Sequence, residues 1–165
     1  MAPGLIPPNA LTKTYGPDAM PNWGPVPFPS GATLSAGDPV KSSGGLGYLA
    51  TGTNAILGIL ADPVPEGWNP STTKQHWPNI LPADDQTVWL CQSIGTKYVS
   101  AGLMQIPSKK YRIGGTTSGY TGIDFTHTTG GVLLPLGLAP IYGNGYGSYA
   151  QVLVIITRGT FYGQA

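Results

Sequence analysis

A chain of 165 residues can bury one hydrophobic core without disulfides or metal, and its single cysteine, Cys91, excludes a disulfide within the chain. Only 9% of residues are charged and the net charge is +1, against about 25% charged in ordinary soluble domains. The few lysines and arginines are scattered, so no basic stripe exists to neutralise phosphates, which argues against a nucleic-acid partner.

Residues 1 to 30 stand apart. They hold eight of the 17 prolines (Pro3, Pro7, Pro8, Pro17, Pro21, Pro25, Pro27 and Pro29), and proline fixes φ and removes a backbone donor, so an extended or polyproline-like arm is expected here. The arm also carries Leu5, Ile6, Tyr15, Trp23 and Phe28, which a solvated linker would not need. Two placements stay open: folded back over its own core, or reaching onto a neighbouring subunit with the entropy cost of docking lowered by the preset shape. The first residues lack both a basic and an apolar stretch of signal-peptide type. No apolar run is long enough to cross a bilayer as a helix, so a cytoplasmically made chain with no membrane association is expected.

From residue 31 to 165 the pattern is that of one β-domain. Ala32-Thr33-Leu34 precedes a turn at Ser35-Ala36-Gly37-Asp38, and Pro39-Val40-Lys41 with Leu46 to Ala50 flank Ser42-Ser43-Gly44-Gly45, a hairpin signature. Ala55 to Ala61 reads as a short strand buried on both faces, with Gly58 marking a bulge or a close backbone approach. Residues 62–86, with Pro63, Pro65, Pro70, Pro78, Pro82, Trp68 and Trp77, read as a long irregular insertion held by its tryptophans.

Thr87 to Ile94 and Lys97 to Met104 are expected to pair as a tight hairpin through Gly95-Thr96. Lys109 to Gly114 and Thr121 to His127 follow as two strands. Gly131 to Leu138 is interrupted by Pro135, which confines it to an edge or an irregular strand. Tyr142 to Gly147 contains an Asn-Gly turn, and Tyr149 to Phe161 is a long closing strand rich in β-branched residues. No segment shows a helical period. The expected fold is therefore all-β, a small barrel or sandwich of short antiparallel strands with an extended proline-rich N-terminal arm.

Chemistry is harder to find. There is no nucleophile elbow, His76 and His127 have no motif around them, and Asp84-Asp85 would point to opposite sides of an extended segment. A scattered acidic site from Asp38, Asp62, Asp84, Asp85 and Asp124 is the one enzymatic alternative. One cysteine and two separated histidines support no metal site, and the glycine clusters lack the Gly-Lys-Ser/Thr of a phosphate loop. Cys91 lies in an apolar run, Val88 to Cys91, and reads as a buried inert thiol. The chain thus reads as a non-enzyme, with no catalytic residue, cofactor or metal. The nine tyrosines and four tryptophans remain as interface anchors, or alternatively as a sugar platform built on Trp68 and Trp77.

Two stretches resemble the decoration, or cement, proteins of tailed-phage capsids. The first is Leu34 to Lys41 with the glycine-rich hairpin and Ala55-Ile56-Leu57-Gly58-Ile59-Leu60-Ala61; the second is Gly147 to Arg158, similar to the closing strand of such proteins. The proline-rich arm and the 62–86 insertion depart from the compact members of that family. The resemblance implies a virion protein on the outer capsid surface, a homotrimer in contact with the major capsid protein, bracing neighbouring capsomers. In that setting Leu5, Ile6, Tyr15, Trp23, Phe28, Trp68 and Trp77 would form the lattice contacts, and a surface carbohydrate-binding module is the alternative.

Overall fold

The computed structural model describes residues 12–15, 23–64, 66, 68–69, 78–83, 85, 87–94, 99–104, 109–115, 121–127 and 129–157, with side chains from Val26 onward. The fold is all-β and antiparallel. One four-stranded sheet runs in the order β1 (Thr12–Tyr15), β7 (Val88–Gln92), β11 (Gln151–Ile156), β10 (Leu133–Leu138). A five-stranded sheet runs β2 (Trp23–Pro25), β6 (Asn79–Pro82), β5 (Gly58–Leu60), β3 (Pro39–Ser43), β4 (Leu46–Leu49). A hairpin of β8 (Arg112–Gly115) and β9 (Thr121–Asp124) is bridged to both, through Gly52 with Ile113 and Ser93 with Ile123.

Period-two alternation explains the main packing. In β7, Trp89 and Cys91 point inward and lie opposite Val154 and Val152 of β11. These four join Ile59, Ile113, Ile123 and Phe125 in one buried cluster, so the facing sheets and the hairpin share a core. The five-stranded sheet is covered on its other face too: Val40, Leu60 and Ile80 pack there with Val26, Phe28, Val64 and Trp68. Gly58, Ile59 and Leu60 are all buried, as expected for a strand enclosed on both sides. Gly58 is a close approach rather than a bulge, since an added Cβ would strike the Leu81 carbonyl and the Ile80 side chain.

The 39–50 hairpin forms with Gly44 and Gly45 both at positive φ, 58° and 80°, the left-handed pair that a two-residue turn demands. β10 is an edge strand with a register shift between Pro135 and Gly137. The missing proline donor is tolerated there, because one side of an edge strand needs no ladder partner. Of the expected closing strand, Gln151–Ile156 forms and Tyr149, Ala150 and Thr157 fall outside it, while Arg158 to Phe161 lie outside the described residues.

Two expectations are corrected. Of the stretch Lys97 to Met104, the described residues 99–104 do not pair with β7, because both edges of β7 are taken, by β1 (Thr12 opposite Leu90) and by β11 (Val154 opposite Trp89). Val99 instead makes a single bridge to Gly147, and Ala101–Met104 is one helical turn, α1. Gly95, Thr96, Lys97 and Tyr98 lie outside the described residues. The 62–86 insertion is not irregular throughout, since Asn79–Pro82 forms β6 between β2 and β5. Pro82 ends that strand, where a lost donor is least costly. Of the two placements left open for the arm, its described residues take the first, folded back over the chain's own core. β1 and β2 pair with strands of the same chain, and Val26 and Phe28 enter the core.

Candidate protein-contact surface

The loop joining β10 to β11, Ala139 to Ala150, contains no charged residue and three tyrosines. Asn144 holds it closed. Its Nδ2 donates to the carbonyls of Ala139 and Gln151, both at 2.8 Å, and its Oδ1 accepts from the Gln151 amide at 3.0 Å. The Asn144 amide donates to the Ile141 carbonyl at 3.0 Å, closing a turn with Gly143 at φ 78°. Farther along, Gly147 and Val99 exchange two backbone hydrogen bonds, each 3.0 Å, and Gln92 Nε2 donates to the Tyr149 carbonyl. A loop tied at both ends and through Asn144 at its middle is preorganised, which lowers the entropy cost of docking.

The side chains it displays are apolar or amphipathic. Ile141, Tyr142, Tyr146 and Tyr149 are exposed, as is Leu136 on the adjacent edge strand. Tyrosine offers large contact area with few rotors and a hydroxyl that tolerates water, the composition of many binding surfaces. Tyr149 is the one described non-glycine residue at positive φ, 61°. An aromatic residue held there is strained, and the surrounding hydrogen bonds impose it. The sequence named the tyrosines as anchors only collectively and marked Tyr142 to Gly147 as a turn, so none of these residues was singled out. The available signal was the tyrosine spacing within a stretch free of charge.

The residues expected to form the interface are dispersed. Leu5, Ile6 and Trp77 lie outside the described residues. Tyr15 sits in β1 opposite Val88, and Trp23 in β2 opposite Ile80. Phe28 and Trp68 are not surface anchors, at 0% and 3% exposed. They seal the outer face of the five-stranded sheet, where Trp68 Nε1 donates to the Phe28 carbonyl at 3.1 Å. Burial equally removes Trp68 from a sugar-stacking platform.

The acidic residues do not converge. Asp38 is buried; it accepts from the Ser35 amide at 2.8 Å and the Thr121 hydroxyl at 3.0 Å. Burial raises its pKa above the usual value, and these two bonds only partly offset that. Asp124 lies on β9 at odd spacing from Thr121, hence on the opposite face. Desolvation pushes the Asp124 carboxyl up, but hydrogen bonds from Thr126 and the proximity of His127 outweigh it and hold the group below its usual value. His127 Nδ1 lies 2.7 Å from Asp124 Oδ2 in an exposed turn. Asp62 accepts from Asn79 instead; Asp84 and His76 lie outside the described residues. Burial pushes the Cys91 thiol far up, which leaves no thiolate for chemistry. Among the described residues no three His, Cys, Asp or Glu side chains group to hold a metal ion.

Comparison with known protein families, curated proteins and solved structures finds no match to this chain.

Proposed function

We propose that this chain is a non-catalytic structural protein that attaches to the outer surface of an icosahedral phage capsid. Its partner on that surface is the major capsid protein, and its working form is a trimer that braces adjacent capsomers. The observation that carries a protein-contact role is the preorganised, uncharged loop exposing Ile141, Tyr142, Tyr146 and Tyr149. Exposed apolar clusters on a protein this poor in charge mark contact sites rather than chance exposure. The resemblance of Leu34 to Lys41, Ala55 to Ala61 and Gly147 to Arg158 to capsid decoration proteins supplies the shell as the surface.

The test is cosedimentation of the purified chain with expanded shells built from the capsid protein of the same genome. Saturable binding that raises the shell's resistance to heat is expected, with binding lost in the double variant Tyr142→Ser, Tyr146→Ser. Absence of binding by the unaltered chain sinks the reading.

A further inference from the structure

We propose that the outward face of the β8–β9 hairpin is a second contact surface, which takes an extended acidic segment of a partner protein with carboxylates at alternate positions. This goes beyond the reading above and does not rest on it, since it needs neither a capsid nor the tyrosine loop.

Charge is concentrated here in a chain that has little of it. The cations were expected to be scattered, yet three of the eight, Lys109, Lys110 and Arg112, fall within residues 109–112. Strand alternation sorts them. Tyr111 and Ile113 are buried, so Lys110 and Arg112 point outward together, about 7 Å apart. Lys110 is exposed and Arg112 half-buried. Lys109 has the other parity, with its Nζ 6.0 Å from the centre of the Tyr111 ring.

Arg112 is held in place and left unpaired. Asp124 lies directly opposite it across the hairpin, where opposite charges ordinarily pair. The Asp124 carboxylate is instead taken on both oxygens. Its Oδ1 accepts from the Thr126 amide and hydroxyl, and its Oδ2 lies 2.7 Å from His127 Nδ1. Arg112 Nε donates to the Thr129 carbonyl at 3.0 Å. That bond fixes the guanidinium and leaves its two terminal nitrogens, the pair that grips a carboxylate with two parallel hydrogen bonds. Among the described residues the one ion pair is Asp124 with His127, so neither Lys110 nor Arg112 is neutralised there.

The form of the partner follows from the backbone. Both edges of the hairpin are closed to an added strand: Ile113 exchanges backbone bonds with Gly52 and Tyr111 with Leu133, and the Ile94 amide donates to the Ile123 carbonyl. Recognition therefore rests on side chains. In an extended segment alternate side chains share a face and repeat at about 7 Å, the spacing of Lys110 and Arg112. Carboxylates two residues apart meet both cations at once. Two cations are few for a nucleic-acid backbone, whose binding grows with each phosphate neutralised, and Asp124 beside Arg112 repels a continuous run of phosphates. The face is also separate from the tyrosine loop. Tyr111 bridges to Leu133 at the start of β10, and the loop begins beyond Leu138 at its end, roughly 17–20 Å along the strand.

The test is fluorescence anisotropy at low salt with a labelled peptide of alternating glutamate and serine, and with its glutamine counterpart. Circular dichroism confirms that every variant is folded. The unaltered chain is expected to bind the glutamate peptide and not the glutamine one. Lys110→Gln with Arg112→Gln should bind about tenfold more weakly. Lys13→Gln with Lys41→Gln, which removes the same charge elsewhere, should bind as the unaltered chain does. A peptide with its glutamates at every third residue puts neighbours on opposite faces and should also bind more weakly. No binding of the alternating peptide, an equal loss in the two double variants, or equal binding of the two spacings overturns the proposal. So does tighter binding of oligothymidylate or of phosphatidylserine vesicles, which would make the face a phosphate site. No shell enters this test, so its failure is distinct from a failure of cosedimentation.

Discussion

The indole nitrogen of Trp68 donates to the carbonyl oxygen of Phe28 across forty residues of sequence. It closes a small second core over the outer face of the five-stranded sheet. The Gly31 amide answers with a bond to the Trp68 carbonyl at 3.0 Å, so the end of the proline-rich arm and the start of the 62–86 stretch form one unit. Phe28 itself fits under Gly47, where any Cβ would strike its ring.

Removing the Phe28 ring leaves a void that this backbone cannot readily fill. Phe28→Ala is expected to cost about 3–5 kcal/mol of unfolding free energy. Trp68→Phe keeps most of the apolar volume but orphans the Phe28 carbonyl, for about 1–3 kcal/mol. Urea denaturation measures both. If either change alters shell binding while stability is untouched, these residues are surface anchors after all.

Fold class was legible because alternation and turn chemistry agree locally: Gly44-Gly45, Pro135 and the β-branched run from Val152 each imply one local structure. What failed was partner choice. Lys97 to Met104 looks like a strand beside Val88 to Gln92, but nothing local reveals that Thr12 to Tyr15 and Gln151 to Ile156 already hold both edges of β7. β6 was hidden by its flanking prolines, which shorten the visible pattern to three residues. Phe28 and Trp68 are aromatic residues in proline-rich sequence, a pattern shared by arms that reach outward and by segments that seal a core. The tyrosine loop was seen as a turn, because exposure is a property of the whole surface.

Gly58 faces the Leu81 carbonyl so closely that a methyl group has no room. β5 lies between β6 and β3, both held in register, so neither the strand nor its neighbour can back away cheaply. Gly58→Ala is expected to cost about 1–3 kcal/mol, with the far-ultraviolet spectrum unchanged. Gly137, with open space around its added Cβ, is the control, and Gly137→Ala should be near neutral.

Two carboxylates give opposite pH signatures. The folded pKa of Asp38 is raised above the ordinary 3.8, so its contribution is fully present below that value and is lost as pH rises through the folded pKa. The stability of the unaltered chain relative to Asp38→Asn should therefore fall as pH climbs from 3.8 upward. Asp124 has a lowered folded pKa, so its contribution is present above 3.8 and disappears as pH falls through the folded value. Relative to Asp124→Asn, the unaltered chain should lose ground only on the acid side. Denaturation midpoints across pH for the three proteins check both slopes, and slopes of the same sign contradict the assigned environments.

Tyr149 combines exposure with a positive φ of 61°, so its ring and its backbone can be tested apart. An L-residue held in left-handed geometry costs about 1–2 kcal/mol that glycine does not incur. Tyr149→Ala keeps the strain and loses the ring; Tyr149→Gly loses both, against a penalty of roughly 0.5–1 kcal/mol for its freer unfolded chain. The glycine variant should therefore be as stable as the alanine variant or about 1 kcal/mol more so, by thermal or urea unfolding. Both should weaken docking at the loop equally, because the lost contact is the ring. A glycine variant clearly less stable than the alanine variant would mean that the backbone at 149 carries no strain. Full docking by either would mean that Tyr149 is not part of the contact, leaving Ile141, Tyr142 and Tyr146 to provide it.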